Sequence, residues 1–162
     1  MTSEEARAIK FDIRKVYVKD MSFESPQAPN IFTQVDQTPT IDVQMGLSHS
    51  LLSEEGAFYE VVLTVTAAAK ASDKTIFLAE VQQAGVFQIE GVKEDELPLA
   101  LEVACPNMLL PFAREAVSDL VGKGGFPQLL INPVNFEVLY QKKRDEIDKN
   151  RQQSETSGVT IN

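Results

Sequence analysis

The chain contains few of the residues on which nucleophilic and metal-dependent catalysis depend. Among its 162 residues there is one cysteine, Cys105, one histidine, His49, and no tryptophan. A single cysteine excludes an internal disulfide and any metal site made only of cysteines. A cysteine–histidine nucleophilic pair could be formed only by Cys105 with His49. Each residue also has a simpler interpretation, which is packing at a helix start for Cys105 and an exposed loop position for His49.

Long apolar runs are absent as well. No stretch reaches the roughly 18 apolar residues that a membrane-spanning helix requires. The first residues, MTSEEARAIKFDIRK, lack the apolar region of a secretion signal and include acidic side chains. We therefore expect a cytoplasmic protein that does not insert into membranes.

Basic residues are scarce where the chain alternates like a β-strand. Residues 20–102 contain 14 Asp or Glu against 3 Lys or Arg, whereas residues 105–162 contain 7 against 7. An acidic surface repels nucleic acid and anionic lipid and favours a basic partner, although acidity alone also keeps a protein soluble. The basic cluster at 142–144 has no interleaved aromatic residues, so we expect no nucleic-acid binding.

Two further clusters match ligand-binding motifs only in part. The segment Gly122–Gly125 has the glycines of a phosphate loop, but it follows a helix and lacks the strand–loop–Gly-Lys-Ser/Thr order. The run Glu94–Glu96 has carboxylates without the spacing of a calcium loop. We therefore expect no cofactor, no metal site and no enzymatic activity.

Period-two alternation predicts a first strand over about residues 9–24. Its odd-numbered apolar residues are expected to face the core, namely Phe11, Ile13, Tyr17, Met21 and Phe23. Residues 25–39 contain three prolines and predict a long crossover. Strands at about 40–52, 58–68 and 75–90, the last bent near Gly85, would complete a four-stranded antiparallel sheet.

After Gly91 the periodicity changes to that of helices, at about 106–121 and 134–151, with Cys105-Pro106 opening the first. Strands followed by helices predict an α+β fold. We expect one domain over residues 1–152, with the sheet at about 9–92, and a disordered tail at 153–162. Two helices cover little of such a sheet, so some apolar surface is left for oligomerisation or for a client-binding groove.

Four segments resemble the SecB family of bacterial export chaperones. They are VYVKDMSFESP (16–26), FLAEVQQAGVF (77–87), ACPNMLLPFARE (104–115) and GFPQLLINPVNF (125–136). The resemblance implies an ATP-independent cytoplasmic chaperone that holds unfolded precursor proteins and delivers them to the SecA motor. It also implies a homotetramer, built as a dimer of dimers.

The resemblance also implies roles for particular residues. SecA's basic, zinc-containing C-terminal segment would dock on Asp20, Glu24, Leu78 and Glu80, which otherwise form an ordinary solvated strand face. Client proteins would bind a groove lined by aromatic residues, and subunit association would involve residues on the opposite side of the fourth strand; core packing is the alternative for both sets. The groove residues are Phe32, Phe112, Phe126, Phe136 and Tyr140, and the association residues are Ala79, Val81 and Gln83.

Two features depart from the family pattern. Family members commonly have a tryptophan in the crossover, where this chain has Val35-Asp36, and the tail after Arg151 is less acidic than usual. Two alternatives to a general export chaperone also stay open. One is a dedicated chaperone for a single client such as a toxin–antitoxin pair, and the other is a small-molecule enzyme or binding protein.

Overall fold

The computed structural model describes residues 8–34 and 38–157. Strands come first and helices after, which confirms the α+β prediction. The strands are β1 (Lys10–Glu24), β2 (Thr40–Ser53), β3 (Phe58–Ala71) and β4 (Lys74–Glu90), with a short 3₁₀ helix (Asn30–Thr33) in the crossover. The helical elements are α1 (Leu97–Leu99), a π-helical turn (Ala100–Ala104), α2 (Cys105–Lys123) and α3 (Phe136–Ser157).

All neighbouring strands pair antiparallel, in the order β1-β4-β3-β2. The tight turn between β3 and β4 contains Ser72 and Asp73, both with positive φ, as short hairpin turns require. Because the proline-containing crossover carries the chain across the sheet, β1 pairs with β4 rather than with β2. The first two strands are therefore the edges of the sheet, and β3 and β4 are its centre.

The hydrophobic core lies on one side of the sheet, beneath α2. Alternate residues of the two central strands, such as Val61, Val65 and Val81, are completely buried there together with Leu109 and Val117 of α2. We call this the helix side. The opposite side, the open face, includes polar residues from all strands: Asp20, Ser22, Glu24, Asp42, Gln44, Glu60, Thr66 and Glu80, with Leu78 among them.

The odd–even assignment for β1 is right except around Tyr17. The pairing of β1 with β4 shifts register between Ile13 and Lys15 and again between Val18 and Asp20. Each shift reverses which side of the sheet the following residues face. Phe11, Met21 and Phe23 therefore lie on the helix side as expected, whereas Tyr17 lies on the open face.

The first long helix begins earlier than the sequence pattern indicated. Helical structure runs without a break from Leu97 through the π-helical turn into α2, so Cys105 lies inside it and not at its start. Pro98 occupies the first turn, where a missing backbone N–H costs nothing. The last helix also ends later than predicted, so residues 153–157 of the expected tail are helical. Residues 158–162 and the crossover pair Val35-Asp36 lie outside the described residues.

Gly85 pairs in regular register with both Val16 and Val61, so β4 has no bulge at this residue. The glycine is required for a different reason, which is the close packing of α2. A Cβ atom at this position would lie 2.7 Å from the Phe87 ring and 3.1 Å from Leu109 Cδ2, both of which are buried.

Replacing Gly85 with alanine should lower the free energy of unfolding by about 1–3 kcal/mol, because an added methyl group overpacks the core. Chemical denaturation would measure the change. Gly46→Ala is the matched control, since its Cβ would lie 3.9 Å from the nearest atom, Thr64 Cβ. Equal stability of the two variants would contradict the packing argument.

Candidate functional site

The open face brings together the residues predicted to bind a basic partner. On β1 and β4, Glu24 pairs with Leu78 and Ser22 pairs with Glu80. Asp20 lies two residues from Ser22 along β1 and faces the same side. Neighbouring strands are about 4.8 Å apart, so these side chains form one continuous patch. Asp20 and Glu24 are exposed, and Leu78 and Glu80 are half-buried. We call the set Asp20, Glu24, Leu78 and Glu80 the acidic patch.

Another carboxylate of the open face, Glu60, is already neutralised within the protein. Lys19 Nζ lies 2.7 Å from Glu60 Oε1, and the Tyr17 hydroxyl donates a hydrogen bond to the other oxygen. These contacts, the lysine's first, lower the pKa of Glu60. Burial, followed by the hydrogen bond and the charge of Glu60, raises the pKa of Tyr17 to about 12. The charge of Glu60 is therefore compensated on the same face as the acidic patch but away from it.

The carboxylates of the acidic patch are not compensated in this way. Within residues 8–34 and 38–157, no lysine or arginine forms an ion pair with Asp20, Glu24 or Glu80. Glu80 Oε2 accepts a hydrogen bond from the Thr66 hydroxyl at 3.1 Å, and this donor is neutral. The patch therefore retains its negative charge and surrounds a partly accessible leucine.

The residues assigned to subunit association lie on the helix side. Ala79 and Val81 are completely buried, and Gln83 is 3% exposed with its amide donating to the Tyr17 carbonyl at 3.1 Å. The core-packing alternative describes their surroundings, because side chains beneath α2 offer no surface to a second subunit. If these residues influence subunit association, they do so indirectly, by setting the position of α2.

An aromatic cluster joins the crossover to the loop after α2. The Phe126 ring lies 5.0 Å from Phe77, 5.4 Å from Phe32 and 6.4 Å from Phe23, measured between ring centroids. Two glycines make this approach possible. A Cβ atom at Gly124 would overlap the Phe23 ring, and Gly125 has a φ of +86°, which favours glycine.

A groove runs from this cluster along β2 to α3. It consists of three adjacent cavities of about 390, 520 and 260 Å³. The first two share Ile41 and Leu129, and the last two share Met45 and Leu139, so their linings are continuous. Phe32 and Phe126 lie at one end, and Phe136 and Tyr140 at the other.

The α3 end of the groove contains buried aromatic side chains and an ion pair. Phe136 and Tyr140 are 4% and 8% exposed, so they form the base of the groove while contributing to the core. Lys143 Nζ lies 3.0 Å from Glu102 Oε1 and links α3 to the π-helical turn. His49, predicted to lie in a loop, is on β2, 3.9 Å from the same carboxylate oxygen.

Phe112 does not belong to this groove. Arg114 Nε donates to the Ile131 carbonyl at 2.8 Å, which places this side of α2 against the loop that lines the groove. Two residues along a helix are separated by about 200°, so Phe112 lies on the other flank of α2, where it is 50% exposed. Phe112 therefore lines none of the three cavities, and its role in client binding stays a prediction. Period-3.6 spacing does not reveal which flank of a helix faces which strand.

Several groove residues were missed in the sequence. Val43, Met45 and Leu47 alternate along β2 and face the helix side, where they are only half-buried. Their alternation was visible, but the absence of a covering helix was not. Leu129 and Leu139 carried no distinguishing signal.

Nothing in the described segments suggests covalent or metal chemistry. Burial raises the pKa of the Cys105 thiol to about 12, so the thiolate needed for nucleophilic attack is disfavoured. No group of three or more His, Cys, Asp or Glu side chains there is arranged to hold a metal ion. Over the same residues, no helix combines the length and apolar character needed to cross a membrane.

Comparison with known proteins agrees with this geometry. The family model described as preprotein translocase subunit SecB matches residues 4–147. A protein-export protein SecB of Methylobacillus flagellatus is 45% identical, covering 99% of each chain. Its counterpart in Hydrogenovibrio crunogenus is 53% identical over 85% of this chain and 91% of that protein.

Among solved structures, a SecB-like chaperone of Mycobacterium tuberculosis, in complex with a ChAD peptide from an antitoxin, has the same fold. It matches with a TM-score of 0.64 and 19% identity, covering 77% of this chain and 91% of the other. The family match over nearly the whole chain and the close relatives decide the assignment: this protein belongs to the SecB family.

Proposed function

We propose that this protein is a chaperone of preprotein export, which holds unfolded precursor proteins without ATP and delivers them to SecA. The observation that carries the proposal is the separation of two surfaces on one sheet. The apolar groove lies on the helix side along β2, and the acidic patch lies on the open face of β1 and β4. One protein can therefore bind a client and a partner without competition between them.

The groove has the properties that promiscuous client binding needs. Its accessible lining includes Phe32, Ile41 and Leu139, which are 53%, 42% and 48% exposed. Such apolar side chains bury well against the aliphatic and aromatic residues of an unfolded chain. Because the groove extends over three adjacent cavities, it suits extended segments of varied sequence.

The acidic patch suits the basic, zinc-containing C-terminal segment of SecA. Lysine or arginine side chains of that segment would form charge-assisted hydrogen bonds with Asp20, Glu24 and Glu80. Leu78 adds an apolar contact between the charges. We expect the complex to form in the cytoplasm, where precursors are synthesised.

A homotetramer, assembled as a dimer of dimers, would cover the apolar surface beside β1. This edge strand exposes Ile13, Val18 and Met21 on the helix side, each 43% exposed, beyond the cover of α2. Phe112 lies on the flank of α2 that faces away from the groove and therefore towards this strip. A second copy of the chain would bury both.

The export role is favoured over a dedicated chaperone for one toxin–antitoxin pair. Relatives at 45–53% identity are named protein-export proteins, whereas the M. tuberculosis chaperone with its antitoxin peptide shares 19% identity. At that level the likeness concerns the fold alone.

Reversing charge at Asp20, Glu24 and Glu80 together should weaken binding of a zinc-loaded SecA C-terminal peptide by about tenfold or more, because paired charges become repulsive. Calorimetry at increasing salt should show the wild-type affinity falling, since screening acts over about 8 Å at physiological ionic strength. The matched control reverses three exposed carboxylates elsewhere, Glu54, Glu55 and Glu94. Equal loss in both variants would contradict a localised site.

Leu139→Ser should impair client holding, because Leu139 lines two of the three cavities of the groove. A loss of about 1 kcal/mol corresponds to roughly fivefold weaker binding of an unfolded precursor. Val138→Ser is the control, since Val138 is 46% exposed on the same helix but lines none of the three cavities. Suppression of precursor aggregation would measure both, and identical behaviour would count against the groove.

Light scattering at micromolar concentration should show a tetramer. Met21→Lys should shift it to smaller species, because a charge would be buried at the proposed contact. Leu52→Lys, at an exposed position near the β2–β3 turn, should leave the mass unchanged. A wild-type monomer under these conditions would overturn the proposed assembly.

A further inference from the structure

We propose that Thr66 is a positioning residue for partner docking. Its hydroxyl holds the Glu80 carboxylate in the orientation that a basic segment of the partner binds. The inference rests on the proposed function of the acidic patch. Thr66 lies on β3 and had no role in the sequence-based assignment.

The two side chains are direct neighbours on the open face. Thr66 and Glu80 are register partners in the β3–β4 ladder, and Thr66 Oγ1 donates to Glu80 Oε2 at 3.1 Å. Both residues are half-buried in the centre of the sheet. A β-branched side chain has little freedom about χ1, so the donor is held in a fixed direction. The longer glutamate side chain is therefore oriented by a stiff neighbour.

The chemistry of the donor matters for the charge of the site. Glu60, further along the same face, is held by the ammonium group of Lys19, which compensates its charge. Glu80 is held by a neutral hydroxyl, which orders the carboxylate and leaves its charge for a partner. Among residues 8–34 and 38–157, Glu80 accepts a hydrogen bond through Oε2 alone, so Oε1 stays available as an acceptor.

The direction of the hydrogen bond also separates the carboxylates. Since β4 lies between β1 and β3, Thr66 draws the Glu80 carboxylate away from Asp20 and Glu24. Asp20 and Glu24 lie four residues apart on β1, about 13 Å, and Glu80 lies on β4 opposite the residue midway between them. Carboxylates spaced in this way fit separate basic side chains of one segment better than a single cation. Thr66 therefore favours a peptide with spaced lysines or arginines.

Ordering the Glu80 side chain before the partner binds reduces the entropy cost of docking. A mobile glutamate loses side-chain freedom when it binds, whereas one already held by a hydrogen bond has lost it on folding. Removing the hydroxyl should therefore weaken affinity without removing any charge. This separates positioning from simple electrostatic attraction.

The test measures binding of the zinc-loaded SecA C-terminal peptide to full-length variants by calorimetry. Thr66→Val, which keeps the shape and removes the donor, should bind about fivefold more weakly, the size expected when one side chain must be ordered on binding. Thr66→Ser should bind like wild type. Thr64→Val is the matched control, because Thr64 shares the face and the strand but pairs with Gln82.

Combination with Glu80→Gln separates the possible outcomes. In that background Thr66→Val should cause no further loss, since there is no longer a carboxylate to position. If Glu80→Gln binds weakly but Thr66→Val binds like wild type, positioning is overturned while the proposed function stands. If Glu80→Gln itself binds like wild type, the docking role of Glu80 fails, and the inference fails with it.

Folding and client holding supply the remaining readouts. Both should be unchanged in Thr66→Val, because valine suits a strand at least as well as threonine. If the valine variant were destabilised, Thr66→Ala would replace it in the same cycle. Equal weakening in the valine and serine variants would overturn the assignment, because serine retains the hydroxyl.

Discussion

The width of one helix against the width of the sheet is the constraint on which the rest of this structure depends. A helix is about 10 Å across, whereas strands are spaced by about 4.8 Å, so α2 can cover about two of the four strands. It packs mainly on β3 and β4 and leaves the helix side of both edge strands only partly covered. Along β2 the uncovered strip becomes the groove, and along β1 it becomes the surface proposed for assembly. The two apolar surfaces thus have a common origin.

The same packing explains why the acidic patch can exist. Because strand residues alternate between two sides, concentrating the core on the helix side leaves the open face free for polar side chains. Carboxylates there need no compensating cation, since water solvates them. Glu60 differs because Lys19 and Tyr17 of β1 both contact its carboxylate. Charge is therefore retained near one end of β1 and neutralised further along the strand.

The sequence predicted the strand order along the chain, the α+β class and the outward direction of Asp20, Glu24 and Glu80, because period-two alternation reports faces directly. It failed at Tyr17, since the two register shifts in β1 occur at residues that carry no glycine or other sign of a bulge. The position of Phe112 could not be read either, because spacing along a helix does not say which flank meets which strand. The groove required the tertiary structure, as it is formed by what α2 fails to cover.

Methyl NMR tests most directly whether one sheet carries two independent binding surfaces, as proposed. Leu78 reports on the acidic patch, whereas Met45 and Leu139 report on the groove. A zinc-loaded SecA C-terminal peptide should shift the methyl signals of Leu78 alone, and an unfolded precursor should shift those of Met45 and Leu139 alone. If both ligands perturbed the same methyl groups, the separation of client and partner surfaces would be contradicted.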